Sequence, residues 1–335
     1  MLTYIIRRVL LWIPTLLLIS IITFILIQLP PGSFFDAYLA AMMESGEAQD
    51  PAVAQQMVEQ LERRYALDQP VYVQYFRWIG GVLRGDFGIS FEWNRPVRDV
   101  IGDRLTLTVI LSLATLTFVW MVALPIGIYS ATHQYSFFDH SFTFFGFLGL
   151  ATPNFLLALV LLFIGYRYLG ASIGGLFSPE FIQAPWSWAR VVDLLKHIWI
   201  PIVVIGTAGT AGLIRVMRGN LLDELQKQYV ITARAKGVGE RKLLFKYPVR
   251  VALNPFVSTI GWTLPAIISG ETITAVVLNL PTVGPLLLRA LTSQDMYLAG
   301  TFLFFQSVLT VIGTLVSDIL LSILDPRIRF EGKYT

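Results

Sequence analysis

Long uncharged runs of apolar residues alternate with polar segments along this chain. Six of these runs come close to, or exceed, the ~20 residues that an α-helix needs to cross the hydrocarbon core of a bilayer. The pattern therefore predicts an all-α, polytopic membrane protein with six transmembrane helices. The six runs are Val9–Leu29, Leu105–Thr132, Ser141–Tyr166, Ile198–Ile214, Val251–Gly270 and Leu298–Ser317.

A further apolar run, Thr272–Leu288, is interrupted by Pro281, Gly284 and Pro285. Proline removes a backbone donor and breaks the regular helical ladder, so this run is a poor candidate for a straight span. We interpret it as the end of the fifth helix followed by a loop that dips back into the protein. A seventh span is the alternative.

Composition agrees with a membrane protein, because 55% of the 335 residues are hydrophobic and 14% are charged, against roughly 25% charged in soluble domains. The apolar runs leave no room for a second globular unit, so we predict one membrane domain over residues 1–335. The formal charge of +3 and the scattered Lys and Arg give no indication of nucleic-acid binding. The chain has no cysteine, which excludes disulfides and Cys-ligated metals.

The first apolar run exceeds the usual ~7–15 residue hydrophobic core of a signal peptide, and we expect this run to be retained in the protein.

The distribution of basic residues predicts the orientation. If both termini lie on one side, that side holds residues 1–8, 131–140, 215–250 and 325–335, which carry 14 of the 25 Lys and Arg. The segment 30–104 on the other side has 11 acidic and 7 basic residues. Both termini and the loop 215–250 are therefore predicted to be cytoplasmic.

The extracytoplasmic segment 30–104 contains helical signals. Asp50 followed by Pro51 is typical of a helix start, and apolar residues then recur every four positions up to Tyr65. A second helix is predicted from Pro70 to Leu83. Two interpretations stay open for this segment, and mainly for residues 40–95: a structural cap on the bundle, or a docking surface for a soluble partner.

The cytoplasmic loop 215–250 has an internal order of its own. Leu221–Lys236 lacks Pro and Gly and predicts one helix, Gly237 predicts its end, and Glu240–Tyr247 predicts a second helix. One interpretation is a basic anchor that only fixes topology. The other is a short helix that docks in a groove of a partner subunit. Its small residues would lie in the partner's groove, and its basic residues would pair with acidic residues at the rim of that groove.

Five segments, in order, resemble the oligopeptide, dipeptide and nickel branch of the ATP-binding-cassette importer permeases. They are YIIRRVLLWIPTLLLISIITFILIQLPPG (4–32), ALDQPVYVQYFRWIGGVLRGDFGISF (66–91), RPVRDVIGDRLTLTVILS (95–112), YVITARAKGVGERKLLFKYPVRVALNP (229–255) and LDPRIR (324–329). The resemblance implies a type I importer permease fold and places the ATPase-coupling motif in the loop 215–250. The coupling residues it implies are Tyr229, Thr232, Ala233, Arg234, Ala235, Lys236, Gly237, Glu240 and Arg241.

The same resemblance implies the partners and the location. The chain would pair with a second, homologous permease, two ATPase subunits that bind ATP and Mg²⁺, and an extracytoplasmic solute-binding protein, in the cytoplasmic (inner) membrane of a prokaryote. Oligopeptides or dipeptides are the expected cargo, with oligosaccharides or nickel as alternatives. The sequence departs from the branch at Gln228, where an acidic residue is expected, at Pro248, and at PTVG (281–284).

No segment of the chain has the features of a catalytic or cofactor site. GVGERK (237–242) lacks the spacing and the Ser or Thr of a phosphate-binding loop, and we predict no catalytic residue, no metal and no cofactor in this chain. Glu271 and Asp318 lie within apolar sequence and are possible pathway residues, because charge in a bilayer is costly; purely structural roles are the alternative. If they lined a proton path, the chain would be a proton-coupled secondary transporter. A static scaffold is the third functional class.

Overall fold

The computed structural model describes residues 2–29, 67–169, 174–260 and 272–324, together with residues 35, 39, 55, 56, 58–60, 62 and 63. The described chain is mostly helical, as the apolar pattern predicts. Its helices are α1 (Leu2–Gln28), α2 (Val71–Leu83), α3 (Val97–Thr132), α4 (Phe137–Ala151), α5 (Asn154–Ile164), α6 (Trp188–Leu225), α7 (Gln228–Ala235), α8 (Glu240–Lys246), α9 (Pro248–Ala252), α10 (Thr272–Val277), α11 (Val283–Thr292) and α12 (Met296–Leu324). Shorter elements are the strands β1 (Ile89–Ser90) and β2 (Arg95–Pro96), a π-helical turn (Gly165–Leu169) and a 3₁₀ turn (Pro179–Phe181), and residues 254–260 are also helical.

Four of the described helices are long and apolar enough to cross a membrane, namely α1, α3, α6 and α12. A fifth candidate is formed if the bent pair of α4 and α5 counts as one span. The predicted span Val251–Gly270 is described only as far as residue 260, and its remainder lies outside the described residues.

The third predicted span, Ser141–Tyr166, is not one straight helix. It consists of α4 and the helix that starts at Asn154, and the two are bent by 100°. Thr152, between them, adopts an extended conformation with ψ of 118°. Pro153 explains the break, because it has no N–H to donate and disfavours the helical conformation of the residue before it.

The fourth predicted span, Ile198–Ile214, is the middle of a much longer helix. Helix α6 has 38 residues, which corresponds to a length of about 57 Å at ~1.5 Å per residue. It therefore exceeds the ~30 Å hydrocarbon core. The first part of the predicted loop 215–250, up to Leu225, is thus a continuation of this helix and not a loop.

The apolar run Thr272–Leu288 does not form a seventh continuous span. Helix α10 ends at Val277, and α11 begins at Val283. Asn279, in the turn between them, has a positive φ of 51°, a conformation outside the right-handed helical region. The sequence prediction of an interrupted segment is confirmed for these residues.

By its internal packing the chain divides into two compact units, the first comprising Met1–Ile5, Leu107–Thr282 and Leu309–Thr335. In this unit α3, α6 and α9 enclose an apolar cluster that includes Ala123, Met217, Leu221 and Phe256, none of them accessible to solvent. The cluster fixes the last turns of α6, which lead into the predicted coupling residues. The prediction of a single permease domain over residues 1–335 stays a prediction.

The second unit comprises Ile6–Thr106 and Val283–Val308. Here the predicted helix Pro70–Leu83 is confirmed as α2, which packs on α1. The Phe24 and Trp78 rings lie 5.7 Å apart, and the hydroxyls of Ser20 and Tyr75 are hydrogen-bonded at 2.8 Å. The predicted helix start at Asp50–Pro51 lies outside the described residues.

A buried carboxylate, Asp295, holds a small hairpin in the second unit. Strands β1 and β2 pair antiparallel, and Ser90 Oγ donates to Asp295 Oδ2 at 2.5 Å, while the backbone N–H of Glu92 donates to the same oxygen at 3.2 Å. Asp295 Oδ1 accepts from Leu298 N at 3.2 Å, so the carboxyl also caps α12. Burial raises the pKa of Asp295, and these hydrogen bonds oppose that increase.

Candidate functional site: the cytoplasmic coupling segment

The predicted coupling residues lie in α7, in α8 and in the turn between these two helices. The expected single helix Leu221–Lys236 is wrong, because α6 ends at Leu225 and α7 begins at Gln228. Lys227, at the junction, has extended backbone angles of φ −69° and ψ 146°. The break lets α7 turn so that Val230 becomes fully buried. Helix propensity gives no indication of this break, because the burial of Val230 depends on tertiary packing.

Gly237 ends α7 as the sequence predicts. Its φ is +78°, a conformation that glycine adopts at little steric cost. The N–H of Gly237 donates to the Arg234 carbonyl at 3.0 Å, and the N–H of Val238 donates to the Ala233 carbonyl at 3.2 Å. These two bonds form a Schellman cap, which satisfies carbonyls that the helix end would leave without donors.

Helix α8 restarts the chain at Glu240, also as predicted, and it is held by Leu243, which is fully buried. Arg234 donates to both carboxylate oxygens of Glu240, at 2.7 and 3.2 Å. This hydrogen bond lowers the pKa of Glu240. The bidentate pair joins α7 to α8 across the Gly237 turn, so Arg234 has a partner within this chain. The sequence predicts Arg234 only at the rim of an interface and gives no indication of this pair.

The coupling segment is defined here as residues 228–246. It has buried side chains that anchor it and an exposed outer surface. Val230 and Leu243 are its fully buried side chains. Ala233 is half-buried. The remaining predicted coupling residues are all exposed: Tyr229, Thr232, Arg234, Ala235, Lys236, Gly237, Glu240 and Arg241. The nine predicted residues therefore lie on one short segment that has two fully buried side chains as anchors.

Tyr229 is exposed, but its hydroxyl is directed back toward its own chain. It donates a hydrogen bond to the Glu224 carboxylate near the end of α6. Burial, followed by the hydrogen bond to Glu224, raises the pKa of Tyr229 far above its ordinary value. The contact connects α6 to α7 across the break at Gln226 and Lys227. Sequence reasoning predicted the site but not this contact.

An ion pair that sequence reasoning missed lies further along α6. Arg218 donates through Nε and Nη2 to the two carboxylate oxygens of Asp139, each at 3.1 Å. Asp139 is 2% exposed, and it also accepts from the backbone N–H of Tyr135 at 3.0 Å. The pair fixes the start of α4 to the helix that carries the coupling segment. In the sequence, Arg218 contributes only to the basic character of the loop 215–250.

Pro248, one of the departures from the branch pattern, lies at a break between two helices. Helix α8 ends at Lys246, Tyr247 has φ −115° and ψ −82°, and α9 begins at Pro248. Proline at the first position of a helix needs no backbone partner. The departure from the branch pattern at this position therefore bends the entry to the next membrane helix.

The two possible pathway residues are not brought together by the described structure. Glu271 lies outside the described residues. Asp318 is half-buried in α12, next to Ser317, whose hydroxyl donates to the Val257 carbonyl at 2.8 Å. A role for either residue in a pathway stays a prediction.

Two family models match the chain and together cover most of it. The model described as "Binding-protein-dependent transport system inner membrane component" matches residues 123–330, which include the whole coupling segment. The corresponding N-terminal model of the same transport systems matches residues 1–114. The chain belongs to this family. It is therefore a multi-pass inner-membrane permease, a non-catalytic subunit that works with a binding protein and an ATPase.

Individual relatives extend over nearly the full length of this permease. The oligopeptide transport system permease protein AppB of Bacillus subtilis is 36% identical over 331 residues, which is 98% of this chain and 100% of the relative. The oligopeptide permease OppB of Haemophilus influenzae is 29% identical over 98% of this chain and 100% of its own length. The dipeptide permease DppB of Alkalihalophilus pseudofirmus is 29% identical, again over 98% of this chain and 100% of the relative.

Proposed function

We propose that this permease forms half of the translocation pathway of an ATP-driven importer of oligopeptides or dipeptides. Full-length similarity to permeases named for oligopeptides and for a dipeptide supports this cargo. The names of these relatives do not support oligosaccharides as the cargo. The other half of the pathway is a second, homologous permease. Two ATPase subunits bind ATP and Mg²⁺ on the cytoplasmic side, and a solute-binding protein delivers peptide to the outer side.

The coupling segment is the proposed contact with the ATPase. The observation that carries this proposal is a short helix held by the fully buried Val230 and Leu243, with an exposed outer surface. An exposed loop side chain gives way under load, whereas a helix with fully buried anchors transmits displacement to the bundle. The Tyr229–Glu224 hydrogen bond links α7 to α6, and we propose that displacement passes from α7 to α6 through this contact.

The proposed cycle follows from that connection. ATP draws the two ATPases together, and the grooves that hold the coupling segments move with them. Each segment displaces the long helix to which it is attached, and the pathway opens toward the binding protein. Hydrolysis of ATP returns the permeases to the inward-facing state. The segment 30–104, and mainly residues 40–95, is the proposed landing surface for the binding protein.

Reconstitution tests the proposed function. The permease, its partner permease, the two ATPases and the binding protein are placed in liposomes, and uptake of a radiolabelled peptide is measured. We expect uptake that needs ATP on the ATPase side and that stops when the binding protein is omitted. Uptake by the permease alone, driven by a pH gradient, would instead establish a secondary transporter. Association without any uptake would support a scaffold.

Six transmembrane helices with both termini in the cytoplasm form the proposed topology. The absence of native cysteine makes cysteine labelling a direct test. Glu180→Cys and Lys242→Cys both place the thiol at exposed positions. We expect a membrane-impermeant maleimide to label Glu180→Cys in intact cells and to label Lys242→Cys only after permeabilisation. Labelling of Lys242→Cys in intact cells would reverse the proposed orientation.

A further inference from the structure

A groove of about 550 Å³ lies beside the coupling segment. It is formed where the ends of α6 and α8, the start of the next membrane helix and the last turn of α12 meet. Three of its side chains are cationic, namely Lys227, Lys246 and Arg250. This volume is large enough for a small ligand. The Tyr229–Glu224 contact forms part of its wall, but the proposed coupling function assigns no ligand to the space.

The charges in the groove favour an anion. Its one acidic lining residue, Glu224, accepts the hydroxyl hydrogen bond of Tyr229. Arg250 donates to the carbonyls of Leu324 at 3.2 Å and of Ile323 at 3.5 Å. These two bonds leave part of its five-donor guanidinium group for a ligand. Among the described residues, neither Lys227 nor Lys246 forms an ion pair.

A neutral polar group in the same groove also lacks a partner. The side-chain oxygen of Asn254 is buried and accepts no hydrogen bond from the described residues. Leaving a buried acceptor without a donor costs free energy, so a ligand with a hydroxyl or amine group would be stabilised there. The groove therefore suits a ligand that combines an anionic group with a hydrogen-bond donor.

Exposed apolar side chains continue from the groove onto the membrane helices. Val251, which lines the groove, is 41% exposed, and Ile323, beside Leu324 at the end of α12, is 52% exposed. Basic pockets between membrane helices at the cytoplasmic surface bind the headgroups of anionic lipids. A free anion would gain no binding energy from these apolar neighbours, whereas a lipid would place its acyl chains against them.

We propose that this groove binds the headgroup of an anionic phospholipid, with the phosphodiester held by Lys227, Lys246 and Arg250. The hydroxyl or amine of the headgroup donates to Asn254. The proposal rests on the cytoplasmic placement of this end of the bundle, which is part of the proposed function. A bound lipid would support the junction between α6 and the coupling segment from the side.

Native mass spectrometry of the full-length permease tests this site without requiring transport activity. The permease is purified in detergent, incubated with palmitoyl-oleoyl phosphatidylglycerol or with the matching phosphatidylcholine, and then washed. We expect one phosphatidylglycerol to be retained in preference to phosphatidylcholine. The double variant Lys227→Gln/Lys246→Gln should weaken retention by about fivefold for each lysine removed. Lys242→Gln, on the same short helix but outside the groove, should retain the lipid as the wild type does.

The other outcomes identify a different occupant. Equal retention of phosphatidylglycerol by the wild type and by the double variant would overturn the proposal. Inorganic phosphate at about 10 mM exceeds the Kd of a weak anion site. Displacement of the lipid by this phosphate would identify a site for free phosphate. If the double variant retains the lipid unchanged but no longer copurifies with the ATPase, an acidic segment of the ATPase occupies the groove. Because lipid retention is measured on the permease itself, failed peptide uptake would not affect this result.

Discussion

Ala233→Asp is expected to abolish ATP-driven uptake while leaving the permease inserted in the membrane. Ala233 is half-buried in α7, and the proposed ATPase groove covers the rest of its surface. A carboxylate introduced there would be buried without a partner on docking, which costs on the order of 2–5 kcal/mol. This cost corresponds to a loss of about 30-fold or more in docking affinity. Uptake and ATP hydrolysis by the reconstituted transporter measure the effect, and hydrolysis should become independent of the binding protein.

Gln228→Asp is the matched control. It introduces the same carboxylate five positions earlier, at the first residue of α7, where the helix dipole favours negative charge. Members of the branch are expected to have an acidic residue at this position. Uptake should therefore stay close to the wild-type value. If Ala233→Asp also transports at the wild-type rate with equal expression, α7 is not the coupling helix.

The coupling segment could be predicted closely because its signals are local. Gly237 ends α7 through a Schellman cap that only a residue tolerant of positive φ completes easily. Glu240 starts the next helix, and Pro248 separates it from the membrane helix that follows. Each of these signals acts within a few residues of its position. The described structure therefore matches the sequence prediction from Ala233 to Tyr247.

The breaks between helices that depend on distant packing could not be predicted. The junction at Gln226 and Lys227 has no Pro or Gly, and the chain turns there so that Val230 is buried. Conversely, the Gly- and Ala-rich middle of α6 looked like a short span, yet it continues as helix on both sides. At Thr152 the local signal existed, because Pro153 follows it, but the apolar run on both sides concealed it.

Polar contacts between residues far apart in sequence were also beyond prediction. Asp295 contacts Ser90 and Glu92 of the β1–β2 hairpin, and Arg218 contacts Asp139. A single sequence shows which residues are charged but not which of them are paired.

Arg218→Leu is expected to lower the free energy of unfolding by about 3 kcal/mol, near the lower end of the range for breaking a buried ion pair. The lower end is appropriate because the Arg218 side chain is 27% exposed, whereas that of Asp139 is 3% exposed. Removing the guanidinium leaves the Asp139 carboxylate buried without its charged donor. Thermal unfolding of the purified permease in detergent measures the loss, and proteolysis near Tyr135 should become faster.

The double variant Asp139→Asn/Arg218→Leu separates the charge effect from the loss of packing. Removing both charges eliminates the uncompensated carboxylate, so most of the lost stability should return. Arg215→Leu is the control on the same helix, since Arg215 is exposed and lies 4.9 Å from the Phe147 ring without a carboxylate partner among the described ion pairs. Its effect should be small. If the double variant is as unstable as the sum of its two single variants, the Asp139–Arg218 pair does not hold α4 to α6. The stability of that contact would then come from the apolar residues around it.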